Sequence, residues 1–144
     1  MAVPESYCFE DLALGMEASL TCQVREADIL AFAEVSGDKN PVHIDADYAA
    51  RTMFKECISH GMLTAGYISA VFGMELPGPG AIYVSQTLNF RRPVMIGDEI
   101  TTKVMVQELW PAKLRARFNC ACLNGSGKVV LEGEAILLVP SRDG

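Results

Sequence analysis

Between Met16 and Val24 apolar and polar positions alternate, with Met16, Ala18, Leu20, Cys22 and Val24 on one side. That period of two predicts a half-buried β-strand. The rhythm then changes. Residues 26–37, EADILAFAEVSG, carry Ile29, Leu30, Phe32, Ala33 and Val35 at helical spacing and reach a glycine at Gly37, which predicts a helix with a marked end. A further helical turn is expected over Asp47–Thr52. From Ser59 to Glu75 the chain is apolar nearly all round, and Gly61, Ala65, Gly66, Ala70 and Gly73 keep it thin. A helix without a polar face belongs in an interior, where small residues let other backbone approach. The PGPG stretch at 77–80 ends it.

Alternation returns and persists. Ile82, Val84, Leu88 and Phe90 share one side of 81–90, and Ile100, Val104 and Val106 one side of 99–106. Leu114, Ala116, Phe118, Cys120 and Cys122 line one face of the next strand, against Lys113, Arg115, Arg117 and Asn119. Val129, Leu131, Ala135, Leu137 and Val139 point inward from the last. Turns are expected at Pro93–Asp98, at Trp110-Pro111 and at Asn124–Gly127. The pattern predicts an antiparallel sheet with one buried face. That face needs a cover, which the all-apolar helix supplies. The fold expected is therefore α+β, a hotdog in which a long antiparallel sheet wraps a buried central helix. A free sheet edge is expected to pair with a second copy as a homodimer.

The 144 residues suit one domain spanning 1–144, without linker, repeat or low-complexity tract. No apolar run approaches the ~20 residues of a membrane span. The N-terminal MAVPESYCFEDL has neither the basic nor the apolar region of a secretory leader, so a cytoplasmic protein is expected. The net charge of −6 argues against nucleic acid, which selects a basic face. Five cysteines, an odd number with no CxxC pair, read as reduced thiols, three of them on apolar strand faces.

One polar stretch interrupts this apolar chain, SGDKNPVHID at 36–45, which reads as a loop. Asn40-Pro41 favours a turn, because proline fixes its own φ and restricts the residue before it. Such a turn brings Asp38 and His43 together. A carboxylate and an imidazole at one point can hold and deprotonate a water and pass protons to and from carbon. A turn-forming Asp beside an ordinary loop histidine fits the same spacing. The second element is Ser59-His60-Gly61, at the start of the apolar helix. The first N–H groups of a helix lack internal partners and carry the positive end of its dipole. Gly61 has no side chain to keep a ligand carbonyl from its N–H, as an oxyanion hole requires. A helix cap at Ser59 and a glycine kept small for packing would look the same. A metal site built on His43, Asp45, Cys57 and His60 lacks paired ligand motifs, and none is expected.

Taken together, DxNPxH followed by HG at a helix start resembles the MaoC-like family of hotdog hydratases, and more closely the (R)-specific enoyl-CoA hydratases. The similarity runs through AFAEVSGDKNPVHID, HGMLTAGYIS, IYVSQTLNFRRPVMIGDE and GEAILLV, which is most of the chain. It implies a catalytic pair at Asp38 and His43 and an oxyanion-hole N–H at Gly61. It also implies a site lined by Ser69, with Asn40 orienting the pair and His60 among the substrate-binding residues. The implied reaction is reversible hydration of a trans-2-enoyl-CoA to the (3R)-3-hydroxyacyl-CoA, with coenzyme A part of the substrate and no separate cofactor. Phe72, three residues beyond Ser69, and Ile136 are candidates for the floor of an acyl tunnel. Arg91 and Arg92 are candidates for the coenzyme A phosphates, and strand alternation allows only one of them to point there. Thioester hydrolysis, dehydration of a carrier-protein or branched substrate, and a non-catalytic acyl-thioester-binding module stay open.

Overall fold

A computed structural model describes Val3 and residues 5–144 of the chain. Met1, Ala2 and Pro4, part of the N-terminal stretch considered above for a leader, lie outside the described residues. Strand β1 (Glu17–Gln23) is followed by helix α1 (Glu26–Ser36), two short helices, α2 (Pro41–Ile44) and α3 (Ala46–Ala50), and the long helix α4 (Gly61–Met74). Strands β2 (Ile82–Gln86), β3 (Asn89–Phe90), β4 (Glu99–Trp110), β5 (Arg115–Leu123) and β6 (Val129–Leu138) complete it. All pairings are antiparallel, in the order β1-β4-β5-β6-β2, with β3 also on β6.

Alternation does what it predicts in the centre of this sheet. Ile100, Val104 and Val106 of β4 and Ala116, Phe118, Cys120 and Cys122 of β5 are buried on one face. Helix α4 lies across that face and buries Thr64, Ile68, Val71 and Phe72. Burying Ile68, Val71 and Phe72 contributes about 1.5–3 kcal/mol each. The helix-propensity cost of Gly66 and Gly73 is about 1 kcal/mol each, so packing outweighs it. All five cysteines are free. Burial pushes the thiols of Cys120 and Cys122 up to about 12 and about 11, so both stay protonated and inert.

Several expectations need correction. Helix α4 is not enclosed on all sides. Met62 is 57% exposed, and Gly66, Ser69, Ala70 and Gly73 are exposed with it. The sheet covers one flank only, and among the described residues nothing covers the other. On α1 only Ile29 and Ala33 are buried, while Leu30 and Val35 face outward. The strand expected over 81–90 is broken into β2 and β3. Between them Thr87 presses onto β6, its N–H donating to the Glu134 carbonyl and its hydroxyl accepting from the Glu134 N–H. Gly133 makes room for this crossing, since a Cβ there would lie 1.9 Å from the Thr87 carbonyl oxygen. Val130 is buried rather than Val129, because the β5–β6 register shifts beside Cys122. The polar stretch at 36–45 is not wholly a loop, for Pro41–Ile44 forms α2.

Candidate active site

The polar stretch folds by its own local chemistry. Helix α1 stops at Gly37, whose left-handed φ of 81° lets its N–H reach the Ala33 carbonyl. The Asp38 carboxylate accepts from the Asn40 N–H at 3.3 Å. The Asn40 side chain in turn accepts from Val42 N–H at 3.2 Å, capping α2, and Pro41 takes the first helical position, where no N–H is needed. His43 thereby sits on one turn of helix. Its Nδ1–H donates to the Ile58 carbonyl at 2.7 Å, which leaves Nε2 as the ring nitrogen with a free lone pair in the neutral form.

Residues 58–60 carry the chain beneath α2 into α4. The Ile58 N–H reaches the Val42 carbonyl and the Ser59 N–H the Val94 carbonyl. His60, not Ser59, is the N-cap residue, and its side chain makes no capping bond. The His60 carbonyl accepts from Leu63 and Thr64, so the Gly61 and Met62 N–H groups stand at the open end of the helix. The Phe90 ring packs close against Gly61, where a Cβ would meet its Cε1 at 2.6 Å.

Asp38, His43 and His60 offer side-chain atoms within 4.8 Å of one another. With Gly61, Thr64 and Phe90 they line a cavity of about 530 Å³. Asp38 is exposed at its mouth, and His43 is half-buried. The walls include Phe54, Val94, Val130 and Leu131, and both Arg91 and Arg92 stand at the rim. Strand alternation does not separate the two arginines, because β3 ends at Phe90. Arg91 pairs with Glu132 at 2.8 Å and Arg92 donates to the Val129 carbonyl at 2.6 Å. A larger groove of about 780 Å³ runs between α1, β1 and α4 and shares Met62 with this cavity, but its lining holds no acid–imidazole pair.

The spacing of these three side chains would also suit ligands of a metal ion, a grouping different from the His43, Asp45, Cys57 and His60 set considered from the sequence. The rings of His43 and His60 are in contact but tilted, with centroids 3.9 Å apart and planes 31° apart. Each ring also has one nitrogen engaged by a backbone carbonyl.

Residues 12–117 match the sequence profile described as MaoC like domain. The chain belongs to the MaoC-like family. The 3-hydroxybutyryl-CoA dehydratase of Methylorubrum extorquens is 52% identical over 135 residues, 94% of this chain and 85% of that protein. The (R)-specific enoyl-CoA hydratase of Rhodospirillum rubrum is 53% identical over 134 residues, 93% and 92% of the two chains. Among solved structures, the unliganded R-hydratase of Pseudomonas aeruginosa superposes with a TM-score of 0.91 at 46% identity, covering 95% of this chain and 88% of that one. The fold of this MaoC-like protein is the hotdog.

Other expected site residues lie elsewhere. Phe72 is 2% exposed and packs edge-on against Phe118 and Tyr83. It belongs to the core between helix and sheet and does not line the cavity. Ile136 does not line it either. Ser69 is on the open flank of α4, away from the cavity walls. Asn40 acts through its helix cap and contacts the pair only by way of backbone. Thr64, Phe90 and Leu131 are wall residues that sequence inspection did not single out. Thr64 had one usable signal, a hydroxyl one turn after His60 on a largely apolar helix.

Proposed function

We propose that this MaoC-like hydro-lyase adds water reversibly across the C2–C3 double bond of a trans-2-enoyl-CoA, giving the (3R)-3-hydroxyacyl-CoA. The observation that carries this reading is the placing of a carboxylate and an imidazole in one cavity beside the N-terminus of α4. Hydration of a conjugated thioester needs three things, a base for water, an acid for C2 and a positive pole for the thioester oxygen. Asp38 and His43 hold one water between them. Asp38 takes its proton as the oxygen attacks C3. His43, doubly protonated, keeps Nδ1–H on the Ile58 carbonyl and delivers the Nε2 proton to C2. Charge that develops on the thioester oxygen is met by the Gly61 N–H and the helix dipole. After product leaves, the proton on Asp38 returns to His43 through the next water, and the cycle balances.

Arg91 and Arg92 at the rim suit the coenzyme A phosphates, since guanidinium matches phosphate geometry. The active form is a homodimer. Support comes from the free outer edge of β2, with Ile82, Tyr83 and Val84 exposed, and from the uncovered flank of α4.

The test uses crotonyl-CoA, following loss of enoyl absorbance while free thiol is read in parallel. Loss of absorbance without thiol, abolished in Asp38→Asn and His43→Ala, is expected. Thiol release would replace hydration by thioester hydrolysis.

A further inference from the structure

His60 was expected to bind substrate, and its surroundings do not suit that task. Its ring is 2% exposed. One face is stacked on Phe32 of α1, with centroids 4.8 Å apart and planes 10° apart, and the ring is also in contact with His43 of α2. Its Nε2 lies 2.9 Å from the backbone carbonyl of Asp38. A carbonyl only accepts, so Nε2 carries the proton and donates it. The Nδ1 lone pair is then buried with no hydrogen-bond partner among the described residues.

The bond to Asp38 is singular in its neighbourhood. Gly37 N–H goes to Ala33, Asp38 N–H to Ser36, Lys39 N–H to Gly37 and Asn40 N–H to Asp38. Each of these stays inside its own turn. Among the described residues only the His60 bond, which spans 22 residues, ties the acid-bearing turn to α4, the helix whose first N–H groups face the same cavity. The unpartnered Nδ1 is the counterpart of this arrangement. A buried acceptor left unpaired costs stability, and a phenyl ring would stack in the same place without that cost.

We propose that His60 is a positioning residue, which holds Asp38 at working distance from His43 and the α4 N-terminus through the Asp38 carbonyl. This rests on the reading of Asp38 and His43 as the reacting pair. The test compares His60→Phe, which stacks but cannot donate, with His60→Gln, which can donate but cannot stack. His60→Phe is expected to melt no lower than the parent while kcat on crotonyl-CoA falls at least about tenfold and KM changes less than about threefold, as misplacement of a reacting group predicts. His60→Gln is expected to recover part of that kcat. A Phe variant at full kcat, or a Gln variant no faster than Phe, overturns the proposal. Should the Phe variant not fold, His60→Ala takes its place in the same comparison with Gln. Asp38→Asn, measured alongside, separates the two levels. Full activity in that variant defeats the reading of the pair itself, whatever His60 does.

Discussion

At position 61 two demands meet on one residue. In the proposed reaction the N–H must be open to a thioester oxygen, and the Cα must accept the Phe90 ring, where a Cβ would sit 2.6 Å from Cε1 and 2.8 Å from Cδ1. Gly61→Ala therefore forces the Phe90 ring to shift within the cavity that both residues line. The ring is 54% exposed and can swing, so little stability is lost. We expect kcat/KM on crotonyl-CoA to fall at least about tenfold, in the range set by disturbing an oxyanion donor, with the melting temperature nearly unchanged. A variant of full activity would show that this N–H does not meet the substrate. Asn40 illustrates a subtler point at the same scale. The sequence pairs it with Asp38 and His43, yet its side chain caps α2 and acts by holding His43 on a helical turn.

Among the elements, the interrupted strand at 82–90 is the informative one. Its break at Thr87 rests on Gly133 in β6, because Thr87 exchanges hydrogen bonds with Glu134 where a side chain on 133 would collide with its backbone. Backbone cannot yield as a flexible side chain can. Gly133→Ala is expected to destabilise by about 1–3 kcal/mol or more, as overpacking does, read as a lower denaturation midpoint. An unchanged midpoint would mean that the crossing is loose. Because β3 carries Phe90 and leads into Arg91 and Arg92, we expect activity to fall further than stability alone requires.

For the whole molecule, the open flank of α4 and the outer edge of β2 raise the same question of cover. Ile82 is 58% exposed on that edge, and an unpaired edge rich in apolar residues invites another strand. In the proposed homodimer this edge pairs with its copy. Val84→Lys is expected to shift sedimentation toward the monomer and to lower activity with it. A monomeric parent protein would remove this reading of the edge. The hydratase assay belongs to this scale as well, since the reaction needs the loop, the helix end and the sheet wall in one cavity.

How much of this the sequence determined follows from what is local. Period-two patterns specified β1, β4, β5 and β6, because side-chain alternation is a property of the strand itself. The limits of α4, set by glycine and proline, and the turn at Asn40-Pro41, set by proline and the Asn40 side-chain cap, were equally local. The spacing of Asp38 and His43 marked the candidate pair, and the helix start marked Gly61. What only tertiary structure decided depends on residues far apart in the chain. Phe72 became core because Phe118 and Tyr83 arrive from the sheet. Strand 82–90 broke because of Gly133, and α4 kept an open flank because the sheet reaches only one side of it. His60 took its place between Phe32 and His43, bonded to the Asp38 carbonyl. Periodicity states which face of an element is apolar, but what covers that face is settled only when distant segments pack.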